Sequence, residues 1–256
     1  FGQAFTSNSN INRQINLGNS EISFSDWKVV GTGYSVNAGN SKIAIRTTYF
    51  QHSGIGNLNY NDLIFENQSL GNLSNPSQLL TFRKVIFNGD GGIVGNNIFD
   101  SLIFTKGKSY EILTSTTQTI QYALVAIGDC KKKISISSPG SFASFLKSSG
   151  SISCAYLILE HIHASGGANF QASGSEDLGD NLGWNLSPAA TRNLYWVGGS
   201  GNWSDTLHWS ASSGGLGGEC IPTIVDNVIV DINSYILPLQ ITINNSAICH
   251  DFTWQS

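Results

Sequence analysis

Two histidines, His161 and His163, stand two residues apart, with Glu160 just before them. On a continuous strand alternate residues share a face, so both imidazoles would reach one metal ion. No third ligand follows at a recognisable spacing, which favours a structural role for the pair. Further along, Glu176, Asp177, Asp180 and Asn181 gather oxygen ligands, the type Ca²⁺ prefers, in a Gly-rich loop. Their spacing fits neither an EF-hand nor a nonapeptide Ca²⁺ repeat, so a capped polar turn competes with a Ca²⁺ site and is the favoured reading. No other cofactor is implied. Asp205 to His208 (DTLH) sets Asp, Thr and His side by side, but adjacency along the chain is not a catalytic triad, and no nucleophile elbow is present. The indoles of Trp196, Trp203 and Trp209 are of the kind that stacks on sugars. Their Gly-flanked setting equally suits packing, and the core is the favoured place for them. Polysaccharide chemistry needs clustered carboxylates, or a Lys or Arg base, along one groove. The 17 acidic residues are mostly singletons at turns, so the sequence implies no enzyme.

The elements that would position these residues announce themselves by repetition. YNDLIF at Tyr60 to Phe65 returns as FRKVIF at Phe82 to Phe87 and as FDSLIF at Phe99 to Phe104, with offsets of 22 and 17 residues. An earlier pair, LGNSEI at Leu17 to Ile22 and AGNSKI at Ala38 to Ile43, has an offset of 21. Self-similarity at this period marks a stacked-repeat architecture. The repeated part is β-branched and aromatic, and it is bounded by Gly and Asn, which is strand chemistry punctuated by corners. The expected fold is all-β, a parallel β-helix (β-solenoid) with about 20–25 residues per coil. In each triplet the outer pair (Leu63 and Phe65, Val85 and Phe87, Leu102 and Phe104) shares one face, and Ile64, Ile86 and Ile103 share the other. Such continuous apolar triplets suggest strands covered on both sides. Periodicity does not say which set lines the axis. The spacing from Tyr60 to Leu63 requires a bend between them, since strict alternation would place them on opposite faces.

Composition narrows the setting. Charged residues make up 12% of the 256, about half the usual share, so the surface is polar and neutral rather than ionic. The net charge of −4, with Lys131-Lys132-Lys133 the one basic run, argues against a nucleic-acid partner. No apolar run is long enough for a membrane span. The chain holds no Met, and it stops at CHDFTWQS in what reads as a strand, so both ends look cut from something longer. The four cysteines fall as two local pairs, Cys130 with Cys154 and Cys220 with Cys249, separated by 24 and 29 residues. Those separations are close to one coil, and they predict two disulfides in an exported protein, with unrelated buried thiols as the alternative. SPAATRN at Ser187 to Asn193 reads as a junction, so residues 1–190 would form one solenoid module and 191–256 the start of a following one.

The segment SSGSISCAYLILEHIHASGGANFQASGSEDLGDNLGW at 148–184, followed by WVGGSGNWSDTLHW at 196–209, carries a wider likeness. Together with the GNS and YNDLIF phrases, it resembles the tandem modules of very large exported proteins of Bacteroidota. Those are surface or secreted, adhesin-like proteins tied to type IX secretion and gliding motility. The resemblance covers most of the chain, in permuted order. It implies a β-solenoid, an extracellular or cell-surface address and a role in adhesion or spacing, and it brings no catalytic residues. The partners it implies are neighbouring modules of the same polypeptide, the export machinery and surface glycans. A glycan-binding or polysaccharide-active solenoid is the alternative function.

Overall fold

The computed structural model describes residues 3–8, 10–54, 58–66, 71–76, 79–235 and 238–255. Short strands wind into a β-solenoid of about 11 turns. Two compact units divide the chain, Phe1–Ser187 and Pro188–Ser256. Among the described residues no helix is long and apolar enough to cross a membrane.

Among the described residues of the first unit every strand pair is parallel. One face is a nine-stranded sheet that runs from Phe5–Asn8 through Trp27–Gly31, Tyr49–Gly54, Gly71–Ser74, Gly91–Val94, Ser109–Ile112, Ile134–Ser137 and Leu157–Glu160 to Glu176–Asp177. The other strands fold around two further faces. Leu58–Phe65, Leu80–Phe87, Asn97–Phe104 and Thr117–Ala126 are long because each turns a corner midway. Tyr60 and Leu63 both point inward, with Asn61 and Asp62 outward between them, and the register passes over Arg83. That is the bend the spacing demanded. The second halves of the long strands stack on Glu21–Phe24 and Lys42–Ile45. Beyond them, the Ile127 to Ala155 bridge leads on to Ser151–Ala155, Asn169–Ser173 and Trp184–Ser187. Bridge partners in this unit lie 28 residues apart at the widest (Ile127 and Ala155) and 14 at the tightest (Phe170 and Trp184), so coil length varies more than the repeats suggest.

The three organising phrases stack in register, Tyr60 on Phe82 on Phe99 and Phe65 on Phe87 on Phe104. The outer pair of each triplet lines the axis, and each member is at most 3% exposed. Rings follow the coils: Tyr60 and Phe82 stack at 5.6 Å, Phe82 and Phe99 at 5.8 Å, and Phe65 and Phe87 at 4.5 Å. Burial of each such ring stabilises the stack by about 1.5–3 kcal/mol. The central isoleucines of the triplets are not covered as expected. Ile64, Ile86 and Ile103 are half-buried on the outer surface, because each face of the solenoid packs only inward.

Corners stack as strands do. Gly18 and Gly39, from the two GNS phrases, both adopt positive φ (57° and 55°), and the Asn40 amide donates to the Gly18 carbonyl at 2.8 Å. A Cβ on Gly39 would lie 2.4 Å from that carbonyl, so only glycine lets successive corners approach.

The second unit has its own small core of Leu194, Trp196, Trp203, Trp209, Val228 and Val230. Asn193–Trp196, Asn227–Val230 and Phe252–Trp254 pair in parallel, as the rungs of the first unit do, while Trp209–Ser210 folds back antiparallel on Asn193–Trp196.

Candidate functional site

The loop of acidic residues is a turn that satisfies itself. Asp177 Oδ1 accepts from the Gly179 amide at 2.8 Å and from Asn181 Nδ2 at 2.6 Å. Asn181 turns its amide group onto the coil beneath, accepting from Ile162 N–H and donating to the Leu159 carbonyl, both at 2.8 Å. Glu176 pairs with Lys133. Asp180, at positive φ, holds its carboxylate 81% exposed and 3.6 Å from His161 Nε2. The four residues proposed for Ca²⁺ therefore aim their oxygens at separate partners, and the arrangement is that of the capped turn.

His161 and His163 do not share a strand face. Leu157–Glu160 ends just before His161, whose φ of 56° makes it a corner, and Ile162–Ser165 begins after it. His161 Nδ1 lies 3.1 Å from the Ser138 carbonyl, while His163 stacks flat on Phe142 at 4.0 Å. One left-handed residue thus separates imidazoles that unbroken alternation would have aligned. Among the described residues no three His, Cys, Asp or Glu side chains converge as metal ligands.

Trp196, Trp203 and Trp209 are 0%, 3% and 0% exposed, so none of the three offers a ring face to a sugar. Trp209 stands edge-on to both of the others, at 5.0 and 4.7 Å. Trp196 Nε1 donates to the Gly199 carbonyl at 2.6 Å, and Trp209 Nε1 to the Trp203 carbonyl at 2.8 Å. His208 lies flat on Trp196 at 4.7 Å, with Nδ1 2.7 Å from the Val197 carbonyl. Asp205 caps the short 3-10 turn Thr206–His208 by accepting from Leu207 N–H. The DTLH motif is a turn whose histidine roofs the indole core.

The cysteines correct the expected pairing. Cys154 and Cys249 are free thiols, while Cys130 and Cys220 are disulfide-bonded, so neither the 130–154 nor the 220–249 bridge exists. Ala155 bridges Ile127, which sets Cys154 beside Ala126 and four positions short of Cys130. Cys154 also points into the core, where burial pushes its thiol up to about 12. Cys130 sits in the corner between Thr117–Ala126 and Ile134–Ser137. A separation near one coil brings strands into register without bringing side chains to the same position or side, and a bridge needs both. The Lys131 to Lys133 run belongs to that same corner. Asp129 Oδ1 accepts from the Lys131 and Lys132 amides, and its Oδ2 takes Lys106 Nζ at 2.8 Å. The Lys106 contact holds the Asp129 carboxyl below its usual range.

Two buried polar constellations escaped the sequence reading. Asn75, Asn97 and Gln118 form an amide column inside the solenoid, with Asn75 Nδ2 donating to Asn97 Oδ1 and Asn97 Nδ2 to Gln118 Oε1, each at 2.9 Å. Their offsets of 22 and 21 residues were the available signal, the same period as the phrases. In the second unit the Asp226 side chain, 1% exposed, takes Arg192 Nε and Nη2 at 2.9 and 2.7 Å, and the Thr223 hydroxyl at 2.7 Å. Burial raises the Asp226 carboxyl, but the guanidinium and the Thr223 donors outweigh it and hold the group below the ordinary range. Among the described residues, concave surface on the first unit includes troughs on the outer sheet faces. One of about 200 Å³ is lined by Ser153, Gln171, Ser173, Asn185 and Ser187, and another of about 220 Å³ by Glu21, Ser23, Lys42, Ala44, Arg46 and Glu66. Compared with protein-family models, curated proteins and solved structures, the chain matches none.

Proposed function

We propose that this chain is a non-catalytic structural module of a large exported surface protein, with reach and contact as its work. The observation that carries the reading is the employment of the chemistry-bearing side chains. Glu176, Asp177, Asn181, His161, His208, Asp205 and Asp226 each serve a turn, a corner or a neighbouring coil. A stack of rungs followed by a second unit that again pairs its rungs in parallel supports a tandem arrangement, with neighbouring modules of the same polypeptide as partners. Disulfide-bonded Cys130 and Cys220 suit an oxidising, extracellular address, and the resemblance to Bacteroidota surface modules points the same way. Export machinery and surface glycans complete the partners of this reading. Any glycan affinity of a single module is weak, and repetition multiplies it by effective concentration.

The alternative, a glycan-binding or polysaccharide-active solenoid, draws on the trough of Ser153, Gln171, Ser173, Asn185 and Ser187, whose amides and hydroxyls suit sugar hydroxyls. The test is to incubate the purified chain with a panel of bacterial and plant polysaccharides and to follow both product release and binding. The expected result is no cleavage. Turnover that disappears in Glu176→Gln or Asp180→Asn would overturn the proposal in favour of an enzyme.

A further inference from the structure

The outer surface of the first four rungs of one sheet is complementary to itself. Register places Glu21, Lys42, Asp62 and Lys84 in one column, with signs that alternate from rung to rung. The next outward column reads Ser23, Ala44, Ile64 and Ile86, two small residues followed by two large half-buried ones. Arg46 and Glu66, just past the strand ends of the second and third rungs, flank it on the far side. The trough of about 220 Å³ lies over Ser23 and Ala44, and the isoleucines form a ridge beside it.

Part of this is explained within one chain. Asp62 pairs with Arg83 and lies 3.9 Å from Lys84, and Arg46 lies 3.4 Å from Glu66, as cross-strand neighbours of opposite charge do. Pairing within the chain accounts for the alternating signs. It does not account for a recess on two rungs followed by a half-buried apolar ridge that runs through Ile64 and Ile86 to Ile103.

We propose that this face is the contact surface of a symmetric dimer, with a second copy of this chain as its occupant. Consider a two-fold axis parallel to the strands and midway between the second and third rungs. Rotation about it sets the first rung against the partner's fourth and the second against its third, in the isologous manner of a two-fold interface. Glu21 then faces Lys84 of the second copy, Lys42 faces its Asp62, and Arg46 faces its Glu66. Each charge meets its opposite, and every pair occurs twice. The same rotation drops Ile64 onto Ala44 and Ile86 onto Ser23, so the ridge of each copy fills the recess of the other. Moving the axis by half a rung puts Lys42 on Lys42, or Asp62 on Asp62, and moving it by a whole rung keeps only Glu21 with Lys42, or Asp62 with Lys84. Sheets packed face to face at about 10 Å leave room for this interdigitation.

The pair Glu21 and Lys84 separates this proposal from a ladder within one chain, because three rung spacings keep the two apart in a single copy. Sedimentation equilibrium of the full 256-residue chain should show a reversible dimer that weakens as salt is raised. Glu21→Lys should weaken the dimer about tenfold, since it makes two like-charge contacts. Lys84→Glu added to it should restore the dimer. Ile64→Lys should give a monomer whose circular dichroism and melting match the unaltered chain. A monomer at all concentrations overturns the proposal. So does a dimer indifferent to Glu21→Lys, or one that Lys84→Glu fails to restore.

Discussion

Asn97 is fully buried, and its side chain binds above and below itself to the amides of adjacent coils. A buried amide is tolerated only when its donors and acceptors are met, so the column acts as a register key as well as a set of bonds. Asn97→Ala strips partners from Asn75 and Gln118 together, and denaturant unfolding should show a loss of about 2–4 kcal/mol. In the second unit the corresponding device is ionic. The Asp226 carboxyl is depressed when folded, so the stability it supplies is present above its unfolded value, about 3.9, and is lost as pH falls through the lower folded value. Asp226→Asn should cost about 3 kcal/mol near neutrality. Followed by tryptophan fluorescence, the gap between the two proteins should narrow steadily as pH drops below about 4. An undiminished gap in acid would show that the carboxylate charge is not what matters.

Strands were the most legible elements in the sequence, because a recurring triplet with Gly and Asn at its borders specifies both the strand and its neighbour. The bend between Tyr60 and Leu63 was also legible, since two inward residues three positions apart admit no straight strand. What alternation missed were the residues at corners. Alternation places His161 on a strand, yet it adopts φ of 56°, and nothing in its type announces a left-handed conformation. The cysteines failed for a related reason: a period gives the rung and leaves open the place within the rung, and Cys130 lies past the strand end. The three indoles looked the same from sequence whether they faced a sugar or a core, because that choice belongs to tertiary burial. Corners should be correspondingly sensitive to substitution. Gly95 has φ of 88°, and a Cβ there would meet the Asn75 carbonyl at 2.2 Å, whereas Gly140, at φ of 74°, has open space around it. Gly140→Ala should cost about 1 kcal/mol through backbone strain alone, and Gly95→Ala at least about twice that in thermal or chemical unfolding. Equal losses would mean that stacked corners are not in contact.

At the scale of the whole molecule, the nine-stranded sheet makes the first unit a continuous ladder, and eight steps at the strand spacing give it a length of about 38 Å. Aromatic stacks and the amide column run along that ladder, so the coils are tied in series, each to the one before and the one after. The module reading rests on this geometry, since reach grows by a fixed increment per coil. Distance measurement tests it most directly. Tyr49, Glu111, Ser137 and Glu160 stand in one outward column of the sheet, linked rung by rung through Asn72 and Gly92. In a Cys249→Ser background, spin labels at Tyr49→Cys with Ser137→Cys, and at Tyr49→Cys with Glu160→Cys, lie four and five rungs apart. Pulsed electron-electron resonance should give narrow distributions centred near about 19 and 24 Å, a step of about 5 Å for 23 further residues. Equal distances for the two pairs, or a Glu160 label closer to Tyr49 than the Ser137 label, would contradict a parallel stack.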